Sequence, residues 1–161
     1  MTELYLIRHA RAVEQAANDW ERPLIADGRR EARTVGAALK KAGVGLDAIA
    51  CSPLVRAVET ATLIAVEVGY EGGLAIDHAL TPDGRTADML TVCGHLAGAR
   101  VALVGHEPSM GHFLSELIGR PGMSMVKGGV VRLAVQGPPA FGAAKLVWTL
   151  SPRQLTPQRG G

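Results

Sequence analysis

The stretch Arg100-Val101-Ala102-Leu103-Val104-Gly105-His106 decides how this sequence folds. Four apolar residues in a row leave neither face of a strand for water, so the run reads as a central parallel strand covered on both sides. It ends in Gly105-His106, a polar step at its carboxyl end. Working outward, Leu4-Tyr5-Leu6-Ile7 is a second short apolar run, and it stops at Arg8-His9. Residues 47–51 read as another strand, and residues 74–77 as a weaker one.

Helical patterns fill the spaces between these strands. Asp27 reads as the cap of a helix over residues 28–41, with Ala32, Val35 and Leu39 as its apolar stripe and Gly43 as its stop. Ser52-Pro53 reads as the start of a helix running to Val68 and ending at Gly69, because Ser accepts a backbone bond at an N-cap and Pro suits the first helical position. Residues 85–96 read as a third helix, and Pro108 opens a fourth that ends near Gly119. After Ser124 the pattern turns to two strands, residues 130–135 and 145–150, joined by Gly137-Pro138-Pro139 and expected as an antiparallel pair at one sheet edge. The expected fold class is therefore α/β: a three-layer α/β/α sandwich with a mainly parallel sheet and an antiparallel edge. One domain over residues 1–151 is expected, followed by a flexible tail over residues 152–161.

Composition narrows the function classes. Only 4% of the residues are aromatic against 47% hydrophobic, so the core must be built from Ala, Val, Leu and Ile. The 17 basic and 15 acidic residues are scattered, without a basic block, which argues against nucleic acid. No apolar run approaches the roughly 18–20 residues that span a bilayer, and the start carries no basic leader, so no membrane is expected and the cytoplasm is the expected compartment. Cys51 and Cys93 are too few for a disulfide framework and read as buried thiols.

In an open α/β sheet the ligand crevice lies beyond the carboxyl ends of the strands. Here three such ends carry Arg8-His9, Ser52-Pro53 leading to Arg56, and His106. A phosphoryl group in transfer spreads negative charge over its oxygens and calls for forked cationic donors and an in-line nucleophile. Arg8, Arg56 and His106 supply the donors, and a neutral His9 imidazole is a competent nucleophile. The helix opening at Pro108 is expected to add its positive end to the crevice. His78, His95 and His112 lack that placement, no metal-ligand spacing is present, and no metal or cofactor is implied.

These blocks resemble the histidine phosphatase (phosphoglycerate mutase-like) superfamily. Leu6-Ile7-Arg8-His9-Ala10 looks like its arginine-histidine signature; Arg22-Pro23-Leu24 with Asp27-Gly28, then Ser52-Pro53-Leu54-Val55-Arg56-Ala57 with Thr60-Ala61, then Gly105-His106-Glu107-Pro108 resemble its successive blocks in order. The resemblance covers roughly residues 3–150, and the short chain is most similar to the bacterial SixA phosphohistidine phosphatases. It implies a phosphoglycerate mutase-like fold and a phosphatase in which His9 is phosphorylated, Arg8, Arg56 and His106 form a pocket that takes phosphate or sulfate, and Arg22 touches substrate at the rim. Ala10 replaces the commonest Gly, as in SixA-like members. Larger members place a Glu acid after the third strand, where this chain has Ala79-Leu80-Thr81-Pro82; Asp83 and Glu107 are the remaining candidates.

A phosphohistidine can leave as a neutral, already protonated imidazole, whereas an ester needs its alkoxide protonated, so an acid-poor pocket suits a P–N bond. The expected partner is a phosphohistidine-bearing signalling protein, with a small-molecule phosphomonoester as the alternative. Two rivals are weaker. A thiolate phosphatase built on Cys51 and Arg56 has the wrong spacing, four intervening residues, and Pro53 removes an amide that should face phosphate. A passive phosphate-binding or phosphorelay histidine should stand exposed on a helix, without arginines around it.

Overall fold

The computed structural model describes residues 1–155. Six strands form one sheet in the order β3-β2-β4-β1-β5-β6: β1 Thr2–Arg8, β2 Ala48–Cys51, β3 Leu74–Ile76, β4 Arg100–Gly105, β5 Val130–Val135 and β6 Ala144–Leu150. The first four in sheet order are parallel, while β5 runs antiparallel to β1 and β6 antiparallel to β5. The expected mainly parallel sheet with an antiparallel edge is what the chain forms.

Alternation along β4 sorts its side chains between two cores. Val101 and Leu103 join Leu4 and Leu6 of β1 on the side holding Met89, Phe113 and Leu117. Ala102 and Val104 join Tyr5 and Ile7 on the opposite side, with Val35, Leu39 and Ile64. Each side belongs to a helix pair: α1 Ala26–Lys41 and α2 Val55–Val68 on one face, α3 Thr86–His95 and α4 Ser109–Ile118 on the other. Burial on both faces is why these strands read as unbroken apolar runs.

Local details differ from expectation at three places. Asp27 is not the cap of α1: Ile25 holds the N-cap position without a side-chain bond, and Asp27 sits in the first turn, where its carboxylate bonds Arg30 Nη1 at 2.7 Å and favours the helix dipole. Ser52 does not cap α2, which begins at Val55, two residues after the expected first position Pro53, with Leu54 as N-cap; the Ser52 hydroxyl is engaged elsewhere. Within the span expected as a tail, Pro152–Leu155 form a short helix α5 against α1, with Pro152 buried. The rest of that tail lies outside the described residues.

Between β1 and α1 the chain crosses the carboxyl end of the sheet in an irregular segment with one 3₁₀ turn, Asp19–Glu21. An Ala12–Leu24 bridge and a bond from the Ile25 amide to the Arg11 carbonyl (3.0 Å) close it at its base. Gly28 of α1 packs directly under that carbonyl, and a Cβ there would collide with the Arg11 oxygen. Gly28→Ala is therefore expected to destabilise by about 1–3 kcal/mol and to lower Tm by several degrees in a thermal melt. An unchanged Tm would mean that the segment is not anchored at this contact.

Candidate active site

The carboxyl ends of β2, β4 and β1 lie side by side, with Arg8 opposite Gly105 and Cys51 opposite Val104. The chain continues from them as Ser52, His106 and His9. A cleft of about 400 Å³ opens there, and Arg8, His9, Arg22, Arg56 and His106 all line it. Every site residue named from the sequence is thus brought to one place. His9, Arg56 and His106 are buried, at 6%, 3% and 1% exposure, and the two imidazoles stand 5.0 Å apart, centroid to centroid.

Backbone bonds fix His9 on every side. Its amide donates to the Gly105 carbonyl at 3.0 Å, its carbonyl accepts from the Gly128 amide at 2.9 Å, and the next amide, of Ala10, donates to Thr60 Oγ1 at 3.0 Å. His9 Nδ1 lies 2.7 Å from the Ala10 carbonyl. A carbonyl only accepts, so Nδ1 must carry the proton and Nε2 keeps its lone pair in the neutral ring. His106 Nε2 lies 2.8 Å from the Ser52 hydroxyl, whose oxygen accepts from the Leu54 amide at 3.2 Å; with the hydroxyl proton given to Nε2, the neutral ring carries its own proton on Nδ1. This is the work Ser52 does in place of capping.

Both arginines are held at their far ends. Arg8 Nη1 donates to the Met125 carbonyl at 2.8 Å, and Arg56 Nη1 to the Asp19 carbonyl at 2.8 Å, with Arg56 Nη2 3.4 Å from the Asp19 carboxylate. That carboxylate also accepts from Arg22 Nε at 2.8 Å, while Arg22 Nη1 bonds the Val13 carbonyl. Arg8 Nε, Arg56 Nε and His106 Nδ1 remain buried without a partner among the described residues. Buried donors in native proteins are nearly always satisfied, so unpartnered donors on three residues lining one cleft mark the seat of an acceptor-rich anion.

Electrostatics agree with the geometry. Burial above all, then Arg56 and Arg8, pushes the His9 imidazole down to about 4, against the Ala10 bond that favours the cation. Burial, then His9 and Arg56, pushes His106 down to about 3. Both rings are neutral near pH 7, which is the form a nitrogen nucleophile needs. Burial raises the Cys51 thiol to about 11, and Cys51 does not line the cleft, so the thiolate alternative loses its nucleophile.

The acids divide. Asp83 faces a neighbouring depression with Asp77, His78 and Asp88, and its carboxylate accepts from the Thr81 hydroxyl at 3.0 Å. Glu107 lines the cleft itself. Sequence reasoning missed Ser52, Asp19, Lys127 and Glu14, all within or against the site. Ser52 and Thr60 were inside quoted motifs, but only the folded backbone shows what their hydroxyls meet. Asp19, Lys127 and Glu14 belong to irregular segments without any pattern.

A three-layer α/β sheet whose strand ends converge on two arginines and two neutral histidines defines a phosphoryl-binding protein of the phosphoglycerate mutase-like fold. Residues 4–81 match the Histidine phosphatase superfamily (branch 1). An uncharacterized protein of Picosynechococcus sp. is 31% identical over 140 residues, 81% of this chain and 84% of that one. Phosphohistidine phosphatase SixA of Escherichia coli is 28% identical over 121 residues, 71% of this chain and 73% of that one. The solved structure of the protein histidine phosphatase SixA complexed with tungstate superposes with a TM-score of 0.84 at 25% identity, covering 96% of this chain and all of the other. The chain belongs to the histidine phosphatase superfamily, and within it the chain is similar to SixA.

The depressed histidines have a consequence for stability. Unfolded imidazoles take up protons near pH 6.5, whereas folded His9 and His106 do so only near 4 and 3, so below pH 6.5 the unfolded chain binds more protons. The contribution is fully present above pH 6.5 and is lost as pH falls, with a slope approaching two protons. Urea unfolding between pH 7 and 4.5 should show this fall, and His9→Asn should roughly halve the slope. A flat profile over that range would contradict the depressed values.

Proposed function

We propose that this protein is a phosphatase that works through a phosphohistidine on His9, and that its substrate class is a phosphohistidine presented by another protein. The observation that carries the reading is the fixed tautomer of His9: Nδ1 is tied to the Ala10 carbonyl, so the lone pair is on Nε2, in the same cleft as half-buried Arg8 and buried Arg56, whose Nε–H donors are buried and unpartnered among the described residues. That the similar SixA was solved complexed with tungstate, itself a tetrahedral oxyanion, supports phosphate binding by this fold.

In the first step Nε2 attacks phosphorus, the bond from phosphorus to the leaving group breaks, and the leaving group departs with the electron pair. Arg8, Arg56 and His106 bind the charge that spreads over the phosphoryl oxygens in the transition state. In the second step water attacks the phosphohistidine, Nε2 recovers its lone pair, and inorganic phosphate leaves. Two guanidiniums provide the positive charge, so the proposed reaction uses no metal, and the proposed setting is the cytoplasm. Arg22, already bound to Asp19 and Val13, is the proposed rim contact.

Support for a P–N rather than a P–O substrate comes from the acids. Asp83 is directed to another depression, while Asp19 and Glu107 are engaged with arginines and amides. Without a proton donor, an alkoxide leaves slowly, and a general acid is worth about two to four orders of magnitude. Three results are expected from steady-state assays in the presence of chelator. His9→Ala abolishes turnover and Cys51→Ser retains it. Phosphate and vanadate compete with substrate. For wild type, kcat/KM on a phosphohistidine peptide exceeds that on an alkyl phosphate by at least about a hundredfold, with aryl phosphates between. Alkyl phosphates cleaved as fast as phosphohistidine, with Glu14→Gln or Asp83→Asn losing that activity selectively, would reveal an acid and overturn the substrate assignment.

A further inference from the structure

Glu107 follows His106 at the end of β4, but its carboxylate turns back on the protein. Oε1 accepts from the Met125 amide at 3.0 Å, and the carbonyl of that same residue accepts from Arg8 Nη1 at 2.8 Å. Three residues on, the Gly128 amide donates to the carbonyls of both Arg8 and His9. The loop entering β5 is therefore clasped at Met125 by Glu107 and at Gly128 by the nucleophile's own backbone. Room for the clasp is made by Gly111 in the first turn of α4: a Cβ there would come within 2.6 Å of Glu107 Oε2 and 2.7 Å of the Met123 carbonyl.

We propose that Glu107 is the positioning residue for Arg8: it holds the Met125 peptide so that the Met125 carbonyl fixes the far end of the Arg8 guanidinium and leaves Nε for the phosphoryl oxygen. The assignment rests on the phosphatase reading above. It is distinct from the role of a general acid, which needs a proton to give. A carboxylate that accepts from a backbone amide is occupied as an acceptor at that oxygen. Burial raises the Glu107 carboxyl on balance, the Met125 amide and Arg8 limit that rise, and Glu107 is the group that offsets the lowering of Arg8 by burial.

A planar guanidinium donates usefully only when its edge is aimed, and a misplacement of about 1 Å can cost a hundredfold. Glu107→Ala should therefore lower kcat/KM about tenfold to a hundredfold, by the same factor for phosphohistidine, aryl and alkyl phosphates. Glu107→Gln keeps an oxygen for the Met125 amide and should recover most of the loss. The deciding measurement is a double-mutant cycle with Arg8→Ala, read by vanadate binding in calorimetry rather than by turnover. Glu107→Ala should weaken vanadate in the Arg8 background and have little further effect once Arg8 is removed. Should the Ala variant fail to fold, Glu107→Met, which fills the volume without an acceptor, carries the same cycle.

Additive losses, or vanadate affinity unchanged by the Glu107 substitution, would overturn the assignment. So would a Glu107→Gln variant that loses alkyl phosphate cleavage alone, since that is the behaviour of an acid. Failure of wild type to bind vanadate would instead sink the phosphatase reading itself.

Discussion

The hydrogen bond from the His9 amide to the Gly105 carbonyl carries the β1–β4 pairing one residue past the end of the sheet. Without it His9 would be a loop residue with the freedom of a loop. With it, the ring is set against His106, the next residue of the neighbouring strand, and both sit where parallel strands leave their crevice. The rest of the site is attached to this point. Thr60 of α2 receives the Ala10 amide and donates its hydroxyl to the Arg56 carbonyl, so the His9 loop and the arginine-bearing helix share one side chain. Gly128 closes the other side through the loop entering β5. Precision of this order on strand ends, with the loops as clasps, is how a small α/β protein holds a catalytic group within the tolerance that catalysis requires.

The same arrangement is electrostatically unfavourable without an anion. Two guanidinium groups share a partly closed space, and burial lowers the proton affinity of both. Their anchors are backbone carbonyls, of Met125 and Asp19, which fix direction but bring no full negative charge. Burial first, and this field after it, keeps His9 and His106 unprotonated, and three N–H or ring nitrogen positions in the cleft stay without partners among the described residues. A core designed for stability alone would have filled or paired them. On the proposed reading the unfavourable field becomes binding energy for a phosphoryl group, and it grows as charge develops on the equatorial oxygens. Asp19 and Glu107 moderate the cost from the outer side of each arginine, leaving the inner edges unpaired.

Most of the fold was legible because burial on both faces leaves an unmistakable trace: Val101-Ala102-Leu103-Val104 and Leu4-Tyr5-Leu6-Ile7 are the two strands at the sheet's centre. Helix stops were legible where glycine takes the left-handed conformation, as at Gly69 and Gly119. Helix starts were less so. Ser52 and Asp27 are good cap residues by type, yet a cap competes with every other partner the fold supplies, and His106 and Arg30 won them. Arg8, His9, Arg56 and His106 converge as their places at strand ends required. Asp19 and Lys127 were invisible because irregular segments have no period, and only the closed chain shows that residue 19 reaches Arg56, 37 positions away.

The question of the leaving group follows from how the carboxylates are spent. A general acid must hold its proton until the transition state, so it needs burial without a fixed cation or amide at its oxygens. Glu107 has the burial but also the Met125 amide and Arg8. Asp19 has neither advantage: it is largely exposed, and it faces two arginines that hold it well below the usual carboxylate range, against a burial effect of opposite sign. Asp83 belongs to a different depression. Glu14 reaches the cleft from an exposed part of the segment over the sheet. A site organised in this way stabilises charge on phosphorus far better than on a leaving oxygen. On the proposed reading it is matched to substrates whose leaving atom needs no proton from the enzyme, and an imidazole nitrogen that departs neutral is such an atom.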